Sequence, residues 1–300
     1  MSVFQDANLS NVKLRIGIMG MSFSGKTYTS LLLARGIVGE EGKIAVVDCE
    51  GGQVDIYKDL TPFKTMTLLP PYTPERYIEC IEIAEKEGFD VIILDSISHE
   101  WAGEGGMLEA HDELEKASKN NMKSFSTWGE ITPRHNAMFN AMLRSKIHVI
   151  ATIRSKSATV IDVIDGKNVP VKIGLAPIQR DGMEYEFSIL LEMDHSHAAS
   201  VKKDRTKVLG DYGAILKPTF ETGALLRDWM QGIVSTPEKQ SDMVREKKPM
   251  KYYTEEETDM IRKTYEKNGW NTGVLTSAKL PDGLYDRSKI DADYMARSKM

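Results

Sequence analysis

Four residues set the chemistry this chain can do. Gly20, Gly25, Lys26 and Thr27 stand at the G-x-x-x-x-G-K-[ST] spacing of a P-loop, between an apolar run beginning at Leu14 and a Leu-rich segment of helical period that reaches Ile37. Glycines there let the backbone turn where a side chain would forbid it, so the amides of Ser22, Phe23, Ser24, Gly25, Lys26 and Thr27 can converge on a phosphate. The helix that starts near Gly25 and runs on through Tyr28 adds its positive N-terminal end. Lys26 is then placed to reach the β- and γ-phosphates and Thr27 to hold Mg²⁺. A Gly/Ser turn that matches by chance is the bland alternative, and the complete motif with correct flanks argues against it.

The elements that must position these residues follow from the pattern of the chain. A first strand covers about Leu14 to Gly20. After turns at Gly39 and Gly42, a second buried strand covers Lys43 to Glu50 and ends in Asp48, Cys49, Glu50, Gly51 and Gly52. Cys49 reads as a small filler beside the nucleotide. A short strand at Thr65 to Leu69, the Pro70-Pro71 break and a helix from Pro74 to Glu87, capped by Thr73, come next. Phe89 to Asp95 reads FDVIILD, a Walker B pattern in which a fully buried strand delivers Asp95 to the metal side of the site. Residues 97 to 125 are polar and contain a helix; a further helix covers Thr132 to Ser145, and another buried strand ends at Arg154.

Alternating βα units imply an α/β fold with a mainly parallel sheet, right-handed crossovers and the nucleotide at the carboxyl ends of the strands. Beyond Arg154 the period changes. One hairpin is expected about Asp165-Gly166 and a second strand pair around His195 to His197, so antiparallel hairpins fill the C-terminal half of the core. The core closes with Leu225 to Gly232.

Three hundred residues, 41% of them hydrophobic, suffice for one large core and a small appendage. The expected division is a core over 1–234, a polar linker over 235–253 and a small helical tail over 254–300. In the tail, Thr254 and Glu257 make a capping box, and Met260, Ile261 and Tyr265 share one side of the helix, which suits packing on the core or docking of a protein partner. Neither a signal peptide nor a membrane span is legible, so a cytoplasmic protein without a membrane partner is expected. Cys49 and Cys80 are too few for a disulfide framework or a Cys-rich metal site. Residues 1 to 235 carry 26 basic and 32 acidic side chains, so bulk charge leaves no footprint of nucleic-acid binding and any such site must be a local patch. His195 and His197 read as surface residues, and His99 as a group near the nucleotide.

P-loops serve many enzymes, and the second motif must decide among them. Asp48 to Gly51 fits the D-x-x-G of a GTPase, but no N-K-x-D follows, and no LSGGQ-like transporter signature occurs. The ordered motifs GMSFSGKT, VVDCEGG, VIILDSISHEW, the glycine segment Gly103 to Gly106, HVIATIRSK, GLAPIQRDGMEYEF and KKDRT resemble the RecA-type ATPase core. Most narrowly they resemble phage-encoded RecA-core recombination and single-strand annealing proteins, over about residues 12 to 232.

The resemblance implies a RecA-like fold and an ATP site completed between subunits of a homo-oligomer. Glu50, 24 residues past Lys26, stands at the position of the catalytic glutamate. In-line attack on a γ-phosphate needs a carboxylate to orient water and another near the metal, roles open to Glu50 and Asp95. A turn-capping role for Glu50 is the alternative. Lys203 and Arg205 match basic residues that act on a neighbour's nucleotide, or else form a solvated basic turn. Two loops that would line a single-stranded DNA path carry Lys119, Lys123, Lys156, Lys167 and Lys172, which could equally serve as solvated loop residues. Thr152 stands where RecA proteins carry a γ-phosphate-sensing glutamine.

Three functions are weighed on these residues. The leading one is a DNA-stimulated, Mg²⁺-dependent ATPase that promotes annealing or strand pairing. The alternative is a P-loop ATPase acting as an assembly or regulatory switch without DNA. A small-molecule kinase is the third, set back by the lack of an arginine-rich lid.

Overall fold

The strand that feeds the P-loop is β1 (Arg15–Gly20), buried at every residue. A strand without a polar face belongs in the middle of a parallel sheet, where helices cover both sides. It is followed by α1 (Lys26–Val38), β2 (Ile44–Asp48), β3 (Lys64–Thr67), α2 (Pro74–Lys86), β4 (Val91–Asp95), α3 (Ser98–Ala102), α4 (Met107–Ala117) and α5 (Phe125–Arg144). Then come β5 (His148–Ile164), β6 (Lys167–Pro177), β7 (Ile189–Met193), β8 (Ala199–Asp204), β9 (Ile215–Leu216) and α6 (Phe220–Met230). The computed structural model describes residues 4, 6–117, 125–164, 167–234, 252–253, 255–268, 270–280, 285–286, 289–290, 293 and 296–297.

The strands lie in the order β3-β2-β4-β5-β1-β7-β8-β9, with β6 paired to β5 off that path. Every pairing from β3 to β7 is parallel, and β8 and β9 add antiparallel strands at one edge. The expected α/β fold, mainly parallel with antiparallel hairpins in the C-terminal half, is the fold observed.

Alternate residues of each strand serve opposite layers, as the period of two requires. Ile92 and Leu94 of β4 pack with Tyr77 and Ile81 of α2 and with Met138 and Phe139 of α5. Val91 and Ile93 face the other way, toward Leu31, Leu33 and Ile37 of α1 and Leu226 of α6. Helices α1 and α6 cross at Gly36 and Gly223, where a Cβ on either would run into the backbone of the other helix. Arg15, only 6% exposed, donates through its guanidinium to the carbonyls of Leu143 (3.1 Å), Ser145 (2.5 Å) and Ile147 (2.9 Å). It thereby caps the end of α5 and ties β5 to β1, the strand that carries the P-loop. Burial lowers its pKa to about 10, which leaves it charged at neutral pH.

Two boundaries differ from expectation. Helix α5 begins at Phe125 rather than near Thr132 and contains Pro133. The proline removes one intrahelical hydrogen bond, and packing of Met138, Phe139 and Met142 on the sheet outweighs that loss. Strand β5 does not stop at Arg154. Its parallel partnership with β1 ends there, at Gly20 opposite Arg154, and the same strand continues to Ile164 as one arm of the hairpin with β6. The turn residues Asp165 and Gly166 of that hairpin lie outside the described residues.

The chain divides into compact units of residues 1–237 and 238–300. The second unit, taken by itself, holds β10 (Tyr252–Tyr253), α7 (Glu255–Lys267), α8 (Gly273–Ser277) and β11 (Tyr285–Asp286). Leu275, Ala278, Tyr285 and Ile290 form its small core, and Tyr265 donates to Asp293 at 3.0 Å. The tail is therefore helical with a β10–β11 pairing added. Thr254, and all of the linker except residues 252 and 253, lie outside the described residues. No described helix is long and apolar enough to cross a membrane.

Candidate active site

The carboxyl ends of β1, β2 and β4 meet beside the point where β5 leaves the parallel sheet. Asp48 and Asp95 are register neighbours at the tips of β2 and β4, and Gly20, at the tip of β1, is the register neighbour of Arg154 of β5. A cleft of roughly 550 Å³ opens there, lined by P-loop residues Ser22, Phe23, Gly25, Lys26 and Thr27 and by Asp48, Glu50, Tyr57, Asp95 and Arg154 among others.

Gly25 caps α1 at φ 89°, a left-handed conformation that favours glycine. The first bond of the helix runs from the Thr29 amide to the Gly25 carbonyl at 2.9 Å, and the Ser24 amide donates to the Met21 carbonyl at 3.3 Å, which leaves the amides of Gly25, Lys26, Thr27 and Tyr28 without a carbonyl in a preceding turn. Those donors, the buried Ser24 hydroxyl that has no partner and the Lys26 ammonium make a cradle for an anion. Lys26 Nζ donates to the Met21 carbonyl at 2.8 Å. Burial lowers the Lys26 pKa, opposed by the charges of Asp95 and Glu50.

Asp95 is 5% exposed and held from both sides. Thr27 Oγ1 donates to its Oδ2 at 2.6 Å and Thr152 Oγ1 to its Oδ1 at 2.5 Å. Burial pushes the Asp95 carboxyl up, and these two hydroxyls pull it down. A buried hydroxyl–carboxylate pair beside a lysine is the donor set a hard divalent cation takes, so Thr27 and Asp95 fit Mg²⁺. Thr152 is engaged with Asp95.

Glu50 sits one turn beyond β2. Asp48 shapes that turn by accepting from the Glu50 amide (2.5 Å) and the Val54 amide (3.2 Å), and Gly51 and Gly52 take left-handed φ values of 77° and 89°. The Glu50 side chain reaches into the cleft and meets Arg154, with Nη2 at 2.6 Å and Nε at 3.1 Å from Oε1. Lys26, Glu50 and Asp95, expected as the catalytic set, thus share one cleft.

Other expected residues are placed differently. Cys49 does not line the cleft; it turns into the α2 layer, where its thiol lies 3.2 Å from the Tyr77 hydroxyl and burial pushes its pKa up to about 12. His99 packs on Tyr72 at 4.9 Å and pairs with Ser96; it does not line the cleft, but the charges of Arg154 and Glu50 act on it from there. His197 is at the surface, and its Nδ1 also lies 3.2 Å from the Ser24 carbonyl, so the β7–β8 turn braces the P-loop. Lys203 and Arg205 lie at the other end of the sheet. Because β8 runs antiparallel, Lys203 stands beside Leu190 near the start of β7, whereas the P-loop follows Gly20, beside Met193. Lys203 donates to the carbonyls of Glu184 (3.1 Å) and Tyr185 (2.8 Å) and Arg205 to that of Tyr185 (3.4 Å). Lys156 is exposed on β5 opposite Ala176, and β6 carries Lys167 and Lys172. Lys119 and Lys123 lie outside the described residues.

Asp48, Tyr57 and Arg154 are the residues sequence reasoning missed. Asp48 and Arg154 did carry a signal, a charged group ending an otherwise apolar strand next to the strands that end in Gly20 and Asp95. Tyr57, edge-on to Tyr28 at 5.9 Å, carried none.

A P-loop at the tip of a central parallel strand, with its threonine bonded to the acid at the tip of β4, the next strand but one, defines a P-loop ATPase domain. Residues 12–217 match the AAA domain family, more than half of the chain, and the chain belongs to that family. No curated protein matches the sequence. Among solved structures, an ATPase from the type III secretion system of pathogenic bacteria is similar at 17% identity and a TM-score of 0.37. The similarity covers 62% of this chain and 53% of that one, so this chain spans about half the length of that protein.

Proposed function

We propose that this chain is a RecA-like ATPase that binds single-stranded DNA and promotes annealing or strand pairing. The observation that carries the enzymatic part is the meeting of the Thr27 hydroxyl and the Asp95 carboxylate at 2.6 Å in the cleft that also holds Lys26 and Glu50.

The P-loop amides and Lys26 bind and orient the triphosphate, with Lys26 leaving the Met21 carbonyl for phosphate oxygens. Thr27 and Asp95 would hold Mg²⁺, which supplies charge neutralisation of the phosphates. Glu50 orients a water for in-line attack and takes its proton. Tyr57 offers an aromatic face to the base.

Support for DNA binding comes from the resemblance of the chain to recombination ATPases and from the β5–β6 hairpin. Its first arm continues β5 past the site and carries Lys156, and its return arm β6 carries Lys167 and Lys172. Scattered lysines suit phosphate contacts that ignore sequence. Support for a homo-oligomer comes from Lys203 and Arg205, which lie at the far end of the sheet from their own cleft and would exchange their bonds to the Glu184 and Tyr185 carbonyls for a neighbour's nucleotide. The 238–300 unit is a docking module for a protein partner, and the protein works in the cytoplasm, that of the host if phage-encoded.

An annealing assay tests the reading. Complementary labelled oligonucleotides should pair faster with the protein and ATP, and Lys26→Ala should abolish the gain. The acidic balance of the core favours a second reading, an ATP-driven assembly switch without DNA. Oligomerisation that follows nucleotide while labelled DNA stays free in solution would select it.

A further inference from the structure

The β5 strand hands Arg154 to the catalytic cleft at the point where the chain leaves the sheet for the hairpin. Its backbone is pinned from two sides. The amide donates to Ser98 Oγ of α3 at 2.9 Å, and the carbonyl accepts from the Ile178 amide at 2.6 Å, where the returning β6 arm rejoins the core. The side chain has freedom that the backbone lacks, being 44% exposed. Nη2 and Nε both address one oxygen of Glu50, Oε1.

We infer that the Arg154–Glu50 ion pair is a latch within one protomer that holds the water-orienting glutamate out of use until a triphosphate arrives and takes the guanidinium for itself. The inference rests on the ATPase reading of the cleft. Two guanidinium donors on Oε1 lower the basicity of the whole carboxylate and fix its orientation, so Glu50, although its Oε2 takes no guanidinium contact, orients and deprotonates water better once released. The γ-phosphate brings more negative charge and three acceptor oxygens into the same cleft, and a planar guanidinium matches phosphate as well as it matches carboxylate. A half-exposed pair is weak and exchanges readily for a stronger anion. A diphosphate lacks the γ-group and leaves the latch shut. Arg154 thus holds Glu50 before the triphosphate binds and touches the γ-phosphate afterwards. Thr152, engaged with Asp95, has no part in the exchange.

The test is a double-mutant cycle on nucleotide binding rather than on turnover. Affinities for Mg²⁺-ADP and for a β,γ-imido triphosphate analogue are measured on the full chain, Glu50→Gln, Arg154→Gln and the double variant. Glu50→Gln removes the competitor for Arg154 and should raise the triphosphate-over-diphosphate preference about 5- to 10-fold, a coupling of ordinary size for a contacting pair. In the Arg154→Gln background the same change should move that preference less than about twofold. Equal effects in both backgrounds would mean that Glu50 merely repels the γ-phosphate, and the latch would fall while the ATPase reading stood. Failure of the unaltered protein to bind either nucleotide would overturn the ATPase reading and the latch with it.

Discussion

Thr152 and Thr27 share a single acid. Thr152 Oγ1 lies 2.5 Å from Asp95 Oδ1 while Thr27 Oγ1 lies 2.6 Å from Oδ2, so the Walker B carboxylate joins the P-loop helix to the strand that leads into the hairpin. Replacing Thr152 by valine leaves a buried acceptor short of a donor, at a cost of about 1–3 kcal/mol in stability. Loss of a donor to the charged form raises the Asp95 pKa further, so the stability lost between acid and neutral pH should grow. Urea unfolding of Thr152→Val at acid and neutral pH, without metal or nucleotide, checks both effects.

Burial works against the charged form of Asp95. Its folded-state pKa is raised by burial, so the folded state binds the proton more tightly than the unfolded one, and stability falls as pH rises through the interval between the two values. Asp95→Asn should therefore melt higher than the unaltered protein at pH 8 while losing ATP hydrolysis. A lower melting temperature at that pH would contradict this account of the site.

Lys26 and Glu50 separate binding from chemistry. Lys26→Ala should remove nucleotide binding, whereas Glu50→Gln should keep it and lower kcat about 10²–10⁴-fold, the usual worth of a general base. Equilibrium binding beside steady-state kinetics tells them apart.

His148 controls acid stability from the far end of the sheet. Its Nδ1 accepts from the Leu14 amide at 3.0 Å, and burial depresses its pKa from 6.5 to about 3. The unfolded chain takes up the proton first, so the contribution of His148 is whole above pH 6.5 and is lost by about 1.4 kcal/mol per pH unit as pH falls toward 3. Replacing His148 by asparagine should flatten that part of the stability curve, read by urea unfolding at pH 7, 6 and 5.

The crossing of α1 and α6 is a packing test away from the cleft. Gly36→Ala puts a methyl against the backbone at Phe220 and Gly223, and overpacking of this kind costs about 1–3 kcal/mol. Denaturant unfolding should show the loss, with nucleotide affinity of the folded fraction unchanged.

Much of the fold was legible because parallel strands buried on both faces read as plain apolar runs, as in IAVVD and VIILD. The P-loop was legible because its glycines answer to backbone geometry alone. What escaped depends on which strands become neighbours. Arg154 reads as the polar end of a strand until β5 is seen to lie between β4 and β1, which brings it to Glu50. His197 reads as a turn residue until the β7–β8 turn is seen beside Ser24. The reach of α5 back to Phe125 was hidden by Pro133, since proline inside a helix is tolerated only when tertiary packing holds the rest.

The central claim is that this cleft hydrolyses ATP for work on single-stranded DNA, and ATP turnover measured with and without an oligonucleotide tests it most directly. The rate should rise on adding single-stranded DNA and collapse in both Lys26→Ala and Glu50→Gln. A rate indifferent to DNA, or one that survives the loss of Glu50, would contradict it.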